Sequence, residues 1–224
     1  MIKKTLKSEV KKAVNLFNQL NEEIMANRVS ISFNNDKMGI IPSFSFPPVL
    51  TCKNFNKCVL DCYALRMCYR RSNTAKSWLN NFKIWQNNPQ AVEFAILNAS
   101  VTSAYFRYFV GGDIPNLDFL KMMVKIANKV KTCKYLAFTK NYKLVNDYLL
   151  KGGKLPKNLK IVFSKWGKTQ INNPFNLPTS GVIFKGDEIL KSDKICGGNC
   201  ANCICQNVGC WMLRNGEEIK FLKH

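Results

Sequence analysis

The chain has 224 residues, 46% of them hydrophobic and 15 of them Phe, which is enough to bury one large core and excludes intrinsic disorder. Thirty-four Lys and Arg against 14 Asp and Glu give a formal net charge of +20, so polyanions are attracted and nucleic acid is the leading expected partner. No stretch approaches the roughly 18 apolar residues of a membrane span, and the basic start MIKKTLKSEVKKAV lacks the apolar run of a secretory signal, so a cytoplasmic protein with no membrane partner is expected.

Residues 1–30 read as a helix packing on a core, because Val10, Val14, Phe17, Leu20 and Ile24 recur at spacings of three and four with lysines between them. Residues 31–50 carry Pro42, Pro47 and Pro48 among apolar side chains and predict an irregular, extended approach to the cysteines that follow. After Cys68 two helices are expected to meet near Asn88-Pro89, since proline suits a first helical turn and disfavours helix in the residue before it. The period then changes. YFRYF runs as a strand into Gly111-Gly112-Asp113, and a helix follows with Leu117, Leu120, Met123, Val124 and Ala127 on one face. KYLAFTK is the next strand, with a helix after it that Gly152 and Gly153 stop; LKIVFSKWG and SGVIFKG are two more strands.

Strands alternating with helices predict an α/β protein with a parallel sheet and right-handed crossovers. The repeating units are few and the chain is shorter than a closed barrel of roughly 250 residues, so a partial (β/α) barrel over residues 31–190 is expected, with a cysteine-rich appendage at 191–224. In such sheets ligands sit beyond the carboxyl ends of the strands, where Asp113, Lys140 and Ser164 fall.

Ten cysteines in a protein expected in a reducing compartment point to metal more than to disulfides. Cys52, Cys58 and Cys62 are separated by five and three residues, without the CxxC knuckles or histidines of a structural zinc site. Three thiols on one loop are expected to hold a four-iron cluster by three corners and leave the fourth iron open. The second group, CGGNCANCICQNVGC, offers five thiols; Cys196, Cys200, Cys203 and Cys210 are the expected ligands of a second [4Fe-4S] cluster or of zinc, with Cys205 the spare. Cys68 and Cys133 lack partner spacing and read as buried small side chains. The one histidine, His224, is terminal, which excludes an internal Ser–His or Cys–His nucleophile. In CYALRMCYRR and FSKWGK, aromatic side chains able to stack on bases alternate with Arg66, Arg70, Arg71, Lys165 and Lys168, which would meet phosphates. The same charges are also consistent with a merely solvated basic surface.

The run from KMGIIPSFSFPPVLTC through CVLDCYA, FVGGD, LAFTKN and LPKNLKIVFS to CW and IKFLKH resembles the phage gene-product-88 family, over roughly residues 36 to 224 with the first helix outside. That resemblance implies a phage origin and hence a host-cell cytoplasm. More distantly, three cysteines ahead of a glycine–glycine–carboxylate strand end resemble the radical S-adenosylmethionine enzymes, although the usual spacing of three then two is here five then three, and Tyr63 follows the last cysteine. This second resemblance implies a barrel of radical-SAM type and S-adenosylmethionine as cofactor, contacted by Gly111, Gly112, Asp113, Lys140 and Ser164. The expected function is an iron–sulfur enzyme acting on a nucleic acid or nucleotide; the alternative is a non-catalytic, metal-stapled nucleic-acid-binding protein.

Overall fold

The computed structural model of the protein describes residues 5–23, 28–33, 38–54, 57–167 and 169–223. Ile24, Lys168 and His224 therefore lie outside the described residues. Six strands form one all-parallel sheet in sequential order: β1 (Ser43–Phe44), β2 (Tyr105–Tyr108), β3 (Lys134–Thr139), β4 (Leu159–Ser164), β5 (Thr179–Ile183) and β6 (Glu218–Leu222). The register pairs Phe44 with Tyr108, Phe106 with Tyr135, Ala137 with Ile161, Phe163 with Thr179 and Ile183 with Leu222. The sheet is open, with β1 and β6 at its edges. Because each strand lies beside its predecessor and runs the same way, crossovers of the usual right hand deliver the helical connections between β1 and β4 to one face.

That face is covered by helices. Alternation along the strands turns Phe44, Phe106, Tyr108, Tyr135, Ile161 and Phe163 toward it, where they are buried against Ile96, Phe119, Met123 and Val145. These last four come from α4 (Pro89–Val101), α5 (Leu117–Lys129) and α6 (Tyr142–Leu150). Local chemistry sets the helix ends: Asn88 Oδ1 accepts from Ala91 N ahead of Pro89, and Asn116 Oδ1 accepts from Phe119 N at the start of α5. α3 (Ser72–Asn87) ends at Asn88, as expected from the Asn-Pro pair. The opposite face carries Leu136, Val162 and Ile219, which pack with Met38, Ile41, Cys210, Trp211 and Leu213.

α1 (Leu6–Glu23) lies over the first cysteine loop and the helices after it. Phe17 and Leu20 pack with Cys68, Ala75 and Leu79, while Ala13 joins Val49, Val59 and Leu65. Val10 and Val14 are partly buried there, so the expected face is the one used.

Three features depart from the expectations. Residues 31–50 are not wholly irregular: β1 forms within them, and Ser32 bridges Ser43 in antiparallel fashion. α2 (Tyr63–Arg70) follows directly on Cys62. The segment 191–224, expected as an appendage, supplies β6 to the same sheet, and Ile195 bridges Lys220, so a boundary at residue 190 does not separate it from the core. No helix among the described residues is long and apolar enough to cross a membrane.

Candidate functional site

The carboxyl ends of the strands open on a cavity of about 830 Å³, within the range of small-molecule sites. Cys52, Cys58 and Cys62 line it from the loop after β1, and Cys196, Cys200 and Cys210 from the C-terminal segment. Gly111, Gly112 and Asp113 line it beyond β2, Lys140 beyond β3, and Ser164 at the end of β4. Residues from five separate stretches of sequence thus share one space.

The loop after β1 is stitched to the end of β2. Ser45 Oγ accepts from the amides of Val110 and Gly111 at 3.1 and 3.2 Å, and Phe46 N donates to Gly111 O at 3.1 Å. Thr51 Oγ1 donates to Pro47 O and accepts from Asp113 N. Gly112 sits at φ +80° with the Phe46 carbonyl oxygen and Thr51 Oγ1 each 2.7 Å from where a Cβ would be, so this crossing of two backbones admits no side chain. Gly111 is needed for a different reason, since a Cβ there would meet the Trp78 ring at 2.2 Å. Val49 and Phe109, on either side of this junction, hold left-handed φ values of 72° and 58°. Strain of this kind costs roughly 1–3 kcal/mol per residue and gathers at functional sites.

Asp113 is 5% exposed and its carboxylate is largely engaged. Oδ1 accepts from Thr139 Oγ1 at 2.6 Å and from Ile114 N at 2.7 Å; Oδ2 accepts from Lys140 N at 2.9 Å. Four lone-pair sites less three donors leave one, on Oδ2. Burial pushes the Asp113 carboxyl above its ordinary range, and the hydrogen bonds from Thr139, Lys140 and Ile114 pull it part of the way back. The carboxylate therefore ties the end of β2 to the end of β3. Lys140 Nζ in turn donates to Ser164 Oγ at 3.1 Å and links β3 to β4.

Burial also raises the Cys52 thiol well above its usual value, and the Asp113 carboxylate adds to the rise while the Val49 backbone and Lys140 oppose it. Cys62 is raised by burial as well, against hydrogen bonds from the Leu65 and Ala64 backbone at the start of α2, and the nearby Cys58 thiol raises it further. Tyr63, next in sequence, donates its hydroxyl to Val110 O. Its ring is 52% exposed yet enclosed by cavity walls, which lifts the phenol to about 12. In the C-terminal group, burial raises the Cys210 thiol to about 12, with Arg107 opposing and Cys196, Cys200 and Cys203 adding to the rise. The Gly198 amide donates to Cys196 Sγ at 3.4 Å, and Cys203 packs on Gly209. Cys205, on α7 (Cys200–Cys205), is exposed. Cys68 and Cys133 are buried in apolar clusters. Among the described residues no three His, Cys, Asp or Glu side chains converge closely enough to hold a single metal ion.

The basic residues divide. Arg66 and Arg71 line the cavity, with Arg66 Nη2 donating to Asp61 O at 2.9 Å; Arg70 is exposed and does not line it. Lys165 pairs with Glu218 at 2.5 Å. Sequence reasoning missed Arg107, at the middle of β2, whose guanidinium lies 4.3 Å from the Phe138 ring centroid inside the same cavity. Its signal was present in YFRYF, where a cation between two core aromatics must face the other side of the sheet.

Together these features define an all-parallel α/β protein with a cysteine-lined cavity at the carboxyl edge of its sheet. A model of the gene product 88 family matches residues 5–199, and the chain belongs to that family. The match is broader at one end and narrower at the other than the motifs suggested: it includes α1 and stops before Cys200, Cys203, Cys205 and Cys210. No curated protein and no solved structure matches the chain.

Proposed function

We propose that the chain is an iron–sulfur protein, a partial (β/α) barrel of radical-SAM type, acting on a nucleic acid or nucleotide substrate. The observation that carries the reading is the meeting, in one cavity, of the three thiols that follow β1 with the Gly111–Asp113 end of β2 and with Lys140 and Ser164. The sequential strand order is that of a barrel wall, and its carboxyl edge is where barrels place their chemistry. The donor set is soft: thiols from two stretches of chain, and no imidazole among the described residues. Thiols that line a cavity without meeting at one point suit a polynuclear cluster, which spreads its ligands, better than a lone zinc ion.

A [4Fe-4S] cluster bound there would supply the electron for reductive cleavage of S-adenosylmethionine. Cys52, Cys58 and Cys62 would hold it; Asp113 Oδ2 would offer its remaining lone pair to the cofactor's ammonium, and Lys140 Nζ, steadied by Ser164 Oγ, would offer a cation to its carboxylate. Gly111 and Gly112 bring the β2 end close enough for backbone contact. α1 packs behind the first cysteine loop, and Trp211 packs with Cys210 on the cavity side of the sheet. Cys196, Cys200 and Cys210, which line the cavity, and Cys203, which packs on Gly209 and does not line it, would hold a second cluster or zinc, and Arg66 and Arg71 would meet substrate phosphates at the cavity wall, with Arg70 beside them.

The test is to purify the protein without oxygen and count iron, acid-labile sulfide and zinc per chain. About eight irons with matching sulfide are expected for two clusters, or about four with zinc at the C-terminal group. Cys58→Ala is expected to lose the loop-bound iron and all cleavage of S-adenosylmethionine while remaining folded. Zinc without iron overturns the reading and leaves a metal-stapled nucleic-acid-binding protein, whose affinity would fall steeply with salt.

A further inference from the structure

Two cationic side chains of the cavity lack a carboxylate partner among the described residues: Arg71, which is exposed at the wall, and Arg107, which is half-buried inside. Lys140 is held by Ser164, Lys223 by Asp61, and Arg66 by the Asp61 carbonyl. Arg107 donates Nε to Tyr108 O at 3.0 Å and lays its plane by Phe138, and among the described residues no carboxylate pairs with it. A guanidinium carries five N–H donors, so the outer fork remains available to a ligand. The fork is also fixed in place. Its position follows from β2: Phe106 and Tyr108 are fully buried on the helix side, which turns Arg107 to the cavity side, two residues before the strand's carboxyl end is passed.

An unpaired cation held in a partly enclosed, low-dielectric space is costly unless an anion shares it. The surroundings narrow the anion. Tyr63 presents a ring that is half-exposed to the cavity and tethered through its hydroxyl to Val110 O, and it lies near enough to Arg107 for that charge to stabilise the phenolate. Phe138, whose ring bears Arg107, lies edge-on to Phe221 with centroids 5.7 Å apart. A fixed fork of donors beside fixed aromatic faces, in about 830 Å³, matches a phosphate joined to a stackable base. Arg107 lies on β2 ahead of the Val110–Asp113 turn that lines the cavity beyond the strand end, so a terminal phosphomonoester reaches it more readily than an internal phosphodiester of a long strand.

We infer that Arg107 is an anion-binding residue of the cavity and that its ligand is the phosphate of a nucleoside monophosphate. The inference rests on the nucleotide side of the proposed function and narrows it, but it does not depend on which metal the cysteines hold.

The experiment is isothermal titration of the four ribonucleoside monophosphates and the four matching nucleosides into the purified protein, at about 0.3 M salt so that exposed lysines are screened. At least one monophosphate is expected to bind about 10- to 100-fold more tightly than its nucleoside. Arg107→Met is expected to abolish that ratio while nucleoside affinity, iron content and the far-ultraviolet dichroism stay as in the wild type. Arg107→Lys, which keeps the charge and loses the fork, is expected to recover part of the ratio and serves as the readout if the Met variant does not fold. Failure of every monophosphate to saturate a site overturns the inference. So does a phosphate preference that survives in Arg107→Met, the pattern that surface lysines would give. A third overturning result is an Arg107→Met protein that loses metal yet keeps the ratio, which would make Arg107 the counter-charge of Cys210. Metal analysis of the same samples separates these outcomes from failure of the iron–sulfur reading, because the ratio is measured whether or not iron is present.

Discussion

The two cysteine groups reach one cavity on very different supports. Every residue from 41 to 49, leading into the first group, is buried; the loop is stitched to β2 by Ser45, Phe46 and Thr51, and α1 packs over it. The second group is carried by α7, none of whose residues is buried, after a stretch from 185 to 192 that is exposed throughout. Its firm anchors come later, at Cys210, Trp211 and Leu213, which are packed against Leu136 and Val162. The first loop is thus shaped by packing and by hydrogen bonds to β2. The second group rests on fewer packed side chains, chiefly those of Cys210, Trp211 and Leu213.

The largest expected break in that contrast is Phe17→Ala. Phe17 is 1% exposed and fills the space between α1 and the Cys68, Ala75 and Leu79 cluster, so truncation is expected to cost about 3–5 kcal/mol. Urea denaturation measures the loss, and thiol alkylation of Cys68, expected to be slow in the wild type because the thiol is buried and raised to about 12, is expected to accelerate. An unchanged midpoint would mean that the first loop stands without its buttress.

A smaller effect sharpens the contrast by making one substitution in both regions. Gly112→Ala places a methyl group 2.7 Å from the Phe46 carbonyl oxygen at φ +80°, and a loss of about 2–4 kcal/mol is expected. Gly197→Ala, with open space around the new methyl group and an ordinary φ, is expected to stay within about 0.5 kcal/mol. Equal costs would remove the distinction between a packed and an unpacked cysteine segment.

Much of this architecture was legible because apolar patterning reports burial directly. β3 and β4 carry compact apolar runs, β2 and β5 shorter ones that continue past the strand end, and α5 a strong 3.6-residue period, so the parallel alternation followed. β1 was not legible: two residues between prolines carry no periodicity, and what makes Ser43 and Phe44 a strand is their pairing with Arg107 and Tyr108, some sixty residues away. β6 carries the alternation of a half-buried strand, Glu218 and Lys220 against Ile219 and Phe221, but over only five residues, too few to stand out beside the cysteine-rich stretch before it. In the site, cysteines and the Gly-Gly-Asp run announce themselves by residue type. The engagement of Asp113 does not, because Thr139 and the Lys140 amide reach it across a strand boundary that only the tertiary fold creates.

The finest test sets the two regions against each other through pH, because their carboxylates are shifted in opposite directions. Burial raises the Asp113 carboxyl, so the folded chain holds that proton more tightly than the unfolded one. The contribution is fully present below the unfolded pKa and is lost as pH rises through the raised folded value. Asp193 is the reverse: its pairing with Lys220 Nζ, 2.7 Å away, holds the carboxyl below its ordinary range. Its contribution is present above the unfolded pKa and is lost as pH falls through the depressed folded value. Urea midpoints taken from about pH 3 to pH 8 include the general repulsion of so basic a chain, but that term cancels when each variant is compared with the wild type. The advantage of the wild type over Asp113→Asn is therefore expected to shrink as pH rises, and its advantage over Asp193→Asn to shrink as pH falls. If both differences moved the same way, Asp113 would be as well solvated as a surface carboxylate, and the packed junction between the first cysteine loop and β2 would be open to water.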